Sequence, residues 1–129
     1  MFVVDTSVWI EFLAARWGRE STLLREALHR VNRVRLCGAI LQEVLQGIRE
    51  DDDFRRERQN LAQFRYREAT RGTCLRVAQL YRQLRRKGVK VSSFDTTIEA
   101  VCLENGLPLR TCDRRHFEPM AKHAGLKLA

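Results

Sequence analysis

The hydrophobic pattern opens on an apolar run, Phe2-Val3-Val4, with no polar alternation, the signature of a short strand buried on both faces. The run ends on Asp5, and Thr6 or Ser7 then caps a helical turn carrying Trp9, Ile10 and Leu13. After a break at Arg16-Trp17-Gly18-Arg19, the spacing of Leu24, Ala27, Leu28 and Val31 predicts an amphipathic helix from Glu20 to Arg33. Val34 to Gly38 reads as a second strand. It leads into a helix over 39–48 whose core face is Leu41, Val44, Leu45 and Ile48, at i, i+3, i+4 and i+7. Glu43 lies off that face, near the start of the helix and aligned with Ile40 and Gly47.

An acidic run, Glu50 to Asp53, precedes a helix from about Phe54 to Phe64. Acids at a helix start favour the macrodipole, which accounts for the run without a metal cluster. Tyr66 to Ala69 reads as a third strand, and Thr70 or Thr73 opens a long helix to Lys87 with Val77, Leu80, Tyr81 and Leu84 as its core stripe. Arg76, Arg82, Arg85, Arg86 and Lys87 cover much of its remaining surface, as phosphate contacts or as a solvated side. Gly88 ends this helix, and Val89 to Ser93 is irregular. The next helix, Phe94 to Leu103, turns Ile98, Val101 and Cys102 inward, carries Asp95 in its first turn and stops at Gly106. Leu107 to Thr111 is a strand closing on Asp113; a short helix with Phe117 and Met120 follows, and Leu126 to Leu128 is a terminal edge strand. There is no linker, repeat or low-complexity tract. Alternating strands and helices predict one domain over 1–129, of the α/β class: a three-layer α/β/α arrangement around a mostly parallel sheet.

Composition narrows the setting. With 44% hydrophobic and 31% charged residues, the 129-residue chain is globular, and large enough to bury a core without disulfides or structural metal. Its apolar stretches are too short to cross a bilayer and Asp5 interrupts any signal-peptide core, so a cytoplasmic protein with no membrane partner is expected. The net charge of +8 comes mainly from arginine, whose planar guanidinium suits phosphate, so a nucleic-acid partner is the leading inference. Cys37, Cys74, Cys102 and Cys112 form no CxxC pair, which argues against zinc and thioredoxin-type sites and for reduced core residues.

Four acids stand out by position: Asp5 after the first strand, Glu43 after the second, Asp95 at a helix start, and Asp113 after the Pro108–Thr111 strand. In a parallel sheet these ends share one edge, where such folds place their ligands. Carboxylates brought together repel unless a cation neutralises them, and hard oxygen donors with little His or Cys select Mg²⁺ or Mn²⁺. Such a site activates water for in-line attack at phosphorus.

Four stretches, in this order, make the chain similar to a known family: Val4-Asp5-Thr6-Ser7-Val8-Trp9-Ile10; Glu43-Val44-Leu45-Gln46-Gly47; Ser93-Phe94-Asp95-Thr96-Thr97-Ile98; and Leu109-Arg110-Thr111-Cys112-Asp113-Arg114-Arg115-His116-Phe117. Together they resemble the PIN-domain ribonucleases, in particular the VapC-type toxins of toxin–antitoxin pairs. The resemblance implies a PIN fold and a Mg²⁺- or Mn²⁺-dependent endoribonuclease that leaves a 5′-phosphate and a 3′-hydroxyl. Asp5, Glu43, Asp95 and Asp113 would be its catalytic and metal-binding acids, with Ser7 and Thr111 in support. It also implies a homodimer and inhibition by a small VapB-like antitoxin whose tail fills the active-site groove. One departure is Glu99, where the family more often has a small apolar residue; one turn on from Asp95, it reads either as a supporting acid or outer metal ligand, or as a solvent-facing residue.

Arg16, Arg19, Arg114 and Arg115 are the candidate RNA-binding residues. Trp17, between two of these arginines, could stack on a base or meet an antitoxin, and Trp9 belongs to the core or a dimer interface. His29, His116 and His123 lack HxxxH spacing; His116, close to Asp113, reads as an ordinary turn residue before a ligand. A dehalogenase-type phosphatase would need DxD where Ser7 stands, and a receiver domain would need adjacent acids after the first strand. The other readings are a stand-alone RNA-processing nuclease and a non-catalytic RNA-binding module on the same fold.

Overall fold

Four short strands form one parallel sheet at the centre of the computed structural model, which describes residues 1–15, 29 and 31–129. They are β1 (Phe2–Val4), β2 (Val34–Cys37), β3 (Arg65–Arg67) and β4 (Leu109–Arg110), in the spatial order β3-β2-β1-β4. The helices are α1 (Thr6–Ala15), α2 (Gly38–Gln46), α3 (Asp51–Leu61), α4 (Arg71–Arg86), α5 (Ser93–Asn105) and α6 (Arg114–Ala124), giving the expected three-layer α/β/α arrangement. Every residue of β1 and β2 is buried, which is why the opening run shows no alternation. The register pairs Phe2 with Val34, Val3 with Arg35 and with Leu109, and Val4 with Arg110. All four carboxyl ends therefore share one edge, and Asp5 emerges there.

The core gathers Val3, Val4, Leu36, Ile40, Ile98, Val101, Phe117 and Met120 around the sheet. Trp9 belongs to it: its ring meets Phe64 edge-on at 5.1 Å, and its indole N–H donates to the Val4 carbonyl at 3.0 Å. Of the two candidate openers of α4, Thr70 is the cap, and Thr73 returns the bond from inside the first turn. Ser92 caps α5 through the Asp95 N–H, and Gly106 ends it in the left-handed conformation, φ 61°. Gly38 belongs to α2 rather than to the second strand; a β-carbon there would come within 2.7 Å of the Tyr66 hydroxyl.

Several expectations are corrected. The acids Asp51, Asp52 and Asp53 form the first turn of α3 instead of preceding it, and Asp52 and Asp53 pair with Arg55 and Arg56. The third strand is Arg65–Arg67, earlier in the chain than expected, because an edge strand of exposed Arg-Tyr-Arg pairs through its backbone and carries no apolar signal. The terminal strand reduces to a single parallel bridge between Leu128 and Leu109. On α2 the buried residues are Ala39, Ile40 and Val44, so the helix is rolled relative to the predicted stripe. Cys37 and Cys102 are buried but Cys74 and Cys112 are exposed, and Ile10 points outward at 54% exposure. Trp17, Arg16, Arg19 and the helix expected from Glu20 lie outside the described residues, except that Val31–Arg33 form a 3₁₀ turn into β2. Among the described residues no helix is long and apolar enough to cross a membrane.

Candidate active site

Asp5 is the buried centre of the site, 4% exposed. Its N–H extends the β1–β4 pairing to the Arg110 carbonyl at 3.0 Å, and its own carbonyl accepts the first bonds of α1, from Val8 and Trp9. Because Asp5 opens the helix, Thr6 and Ser7 are not caps, and their hydroxyls are used elsewhere. Ser7 donates to Asp5 Oδ1 at 2.7 Å, and Thr111 donates to Asp5 Oδ2 at 3.1 Å. The Ser7 hydroxyl also accepts from the Cys112 N–H at 3.3 Å, and that of Thr111 from the Asp113 N–H at 2.9 Å. Two hydroxyls thus fix one carboxylate and the turn that carries another. Burial raises the pKa of Asp5; its hydroxyl bonds oppose the rise and the charge of Asp95 adds to it.

The other acids reach the same edge by separate routes. Glu43 on α2 is anchored by Thr6, which donates to its Oε1 at 2.9 Å. Asp113 caps α6 by accepting the His116 N–H at 3.2 Å. Asp95, in the first turn of α5, lies 2.6 Å from His116 Nε2. That bond raises the pKa of His116 against the effect of burial, and the charges of Asp95, Asp113 and Asp5 add to the rise. His116 is therefore bonded to Asp95 from the first turn of α6, with Asp113 and Asp5 near enough to favour its protonated form, rather than an ordinary turn residue. Its partner is 21 residues away in sequence, which is why spacing did not reveal it.

Glu99 is not joined to this network. It is wholly buried, neither carboxylate oxygen has a hydrogen-bond partner, and the charge acting on it is that of Arg76. The solvent-facing reading is thereby excluded. Arg114 and Arg115 are exposed on the first turn of α6 beside Asp113, and Arg114 donates to the Ala129 carbonyl at 3.0 Å. Exposed Cys112 donates to Glu11 at 2.9 Å; burial and that acid push its thiol up to about 12.

The donor set suits a hard divalent cation: carboxylate oxygens, one of them buried and electrostatically strained by another. As the side chains stand, no three acidic, imidazole or thiol groups among the described residues converge closely enough to enclose an ion. Asp95 is turned to His116, whose Nε2 lies within hydrogen-bond distance of its carboxylate.

A four-stranded parallel sheet covered by helices, with acids at its carboxyl edge, places the chain among the α/β domains that keep their sites at the strand ends. The PIN domain family matches residues 2–123, and the chain belongs to it. Its fold is similar to that of the DNA-bound VapBC complex of Salmonella typhimurium, with a TM-score of 0.82 at 19% identity over 99% of this chain and 96% of that one. FitAcB from Neisseria gonorrhoeae gives 0.76 at 17% identity, over 99% and 96%. VapBC-5 of Mycobacterium tuberculosis, from the VapBC family of toxin–antitoxin systems, gives 0.67 at 23%, over 98% and 95%. No curated protein matches the chain.

Proposed function

We propose that the chain is a metal-dependent endoribonuclease acting as the toxin of a VapBC-type toxin–antitoxin pair. The observation that carries the reading is the buried Asp5 carboxylate, held on both oxygens at the end of β1 and facing the charge of Asp95. Mg²⁺ or Mn²⁺ would be held by Asp5, Asp95 and Asp113 with Glu43 beside them, and when bound would neutralise phosphate charge and acidify an attacking water. Ser7 and Thr111 keep Asp5 from rotating away. Glu43, anchored through Oε1 by Thr6, would be the acid available as a proton acceptor at this edge. His116, hydrogen-bonded to Asp95, would orient that carboxylate, and Arg114 and Arg115 bind the RNA backbone. Glu99 would act only through the helix it shares with Asp95.

Membership of the PIN family and likeness to VapBC complexes support this reading, and with it a small antitoxin partner; a homodimer and a cytoplasmic setting belong to the same proposal. The test is cleavage of total RNA by the purified protein in Mg²⁺, Mn²⁺ or EDTA, beside Asp5→Asn and Asp95→Asn, with the new ends sequenced. Discrete cuts that need metal and vanish in folded variants are expected. No cutting by folded, metal-loaded, antitoxin-free protein would replace the proposal with the non-catalytic RNA-binding module.

A further inference from the structure

β3 is the edge of the sheet, and its three residues, Arg65, Tyr66 and Arg67, are all exposed. Parallel pairing sets Arg65 against Arg35 and Arg67 against Cys37, so strand alternation puts Arg35, Arg65 and Arg67 on one face. Arg35 is 1% exposed. One terminal nitrogen donates to the Asn32 and Val34 carbonyls at 2.7 and 3.1 Å, the other lies 3.0 Å from Met1 Sδ, and Nε has no partner. None of these partners carries a charge. Among the described residues no acid forms an ion pair with any of the three arginines. Burial, and then repulsion by Arg65 and Arg67, pulls the pKa of Arg35 below its ordinary value. Charge on an edge strand protects it from pairing with another chain, which accounts for Arg65 and Arg67. It does not account for a third guanidinium buried behind them with no counter-charge among the described residues.

We propose that Arg65 and Arg67, backed by the charge of Arg35, form an anion subsite that takes backbone phosphates of the RNA strand. The proposal rests on the nuclease reading. The register supplies the geometry: Val3 pairs with Arg35, so Asp5 is level with Cys37, and Cys37 is paired with Arg67. Arg67 therefore stands in the same row as Asp5, two strands away, about 10 Å at ~4.8 Å per strand. RNA leaving the acids along the carboxyl edge toward β3 passes Arg67, whose planar fork matches phosphate oxygens. An acidic peptide would satisfy the same charge, and the experiment separates the two.

The experiment measures anisotropy of a fluorescein-labelled single-stranded RNA, about a dozen nucleotides long, bound to Asp5→Asn protein over a salt series. Adding Arg65→Ala and Arg67→Ala is expected to weaken binding and to flatten the log–log salt dependence by about 0.7 for each phosphate that is no longer neutralised. Lysine at both positions is expected to keep most of that slope. Both side chains are exposed, and circular dichroism verifies folding. Unchanged affinity and slope in the folded alanine pair overturns the subsite. So does a pair that binds RNA normally yet loses a fluorescein-labelled polyglutamate peptide, which would assign the patch to an acidic protein. If the wild type neither binds nor cuts RNA, the nuclease reading itself fails; if it does both and the arginines make no difference, the subsite alone fails.

Discussion

At pH 8 the Glu99→Gln protein is expected to melt well above the unaltered protein, and near pH 4.5 the two are expected to converge. Glu99 is wholly buried with both oxygens unpartnered, and desolvation lifts its pKa from 4.5 to about 7 against a smaller opposing effect of Arg76. The unfolded chain keeps the ordinary value. Between the two values the folded protein retains a proton that the unfolded chain has released, so stability falls as pH rises from 4.5. Above about 7 the whole penalty is present, and a rise from 4.5 to about 7 is worth about 3 kcal/mol. That is a large share of a domain stability of about 5–15 kcal/mol. Glutamine has the shape of the protonated acid and cannot ionise, so it removes the penalty, on the order of 10 °C in melting temperature. The assay is thermal or urea unfolding of both proteins from pH 4.5 to 9; plotting their difference cancels every other titrating group. A difference that stays flat across that range would refute the reasoning, because it would mean that the ionised carboxylate is compensated in the folded protein. Calorimetric titration of Glu99→Ala with Mn²⁺ separates the remaining role: unaltered affinity removes Glu99 from the metal site.

Asp113 has two jobs that substitution can divide. Asp113→Asn is expected to keep the α6 cap and its stability while losing RNA cleavage, and Asp113→Ala to lose about 1 kcal/mol as well by urea midpoint; cleavage surviving in the asparagine variant would leave Asp113 as a cap only. Thr111→Val strips a donor from Asp5 and an acceptor from the Asp113 N–H. It is expected to cost about 1–3 kcal/mol and to weaken metal affinity or cleavage about 10–100-fold, read by urea unfolding and by titration. Trp9→Phe leaves the ring position filled but deletes the bond to the Val4 carbonyl, with an expected loss of about 1–3 kcal/mol in urea unfolding.

Asp5 was legible because a strand buried on both faces must be apolar throughout, so the first acid after Phe2-Val3-Val4 marks its end. Asp113 and Asp95 were placed by the same kind of punctuation, at a strand end and in a first helical turn. Parallel topology did the rest, since it brings all such ends to one edge whatever their separation along the chain. The limits of the reading have the same origin. Thr6 and Ser7 carry the right side chains for capping, but once the Asp5 carbonyl opens α1, their hydroxyls are released to Glu43 and Asp5. Local pattern does not choose between those uses. β3 was displaced because edge pairing is made by the backbone alone. Cys74 and Cys112 were read as core because residue type gives an average depth, not the depth of a position.

Asp95 and Glu99 show where periodicity stops informing. They sit four residues apart on one face of α5, yet Asp95 meets His116 at the sheet edge and Glu99 is sealed inside without a partner. The helix delivers both acids to the same side, but one turn of about 5.4 Å carries the second below the edge into the packed interior. Facing the site and reaching it are different properties. Spacing along a helix decides the first. How far the edge of the sheet lies from each turn decides the second, and that distance belongs to the packing of α5 rather than to its sequence.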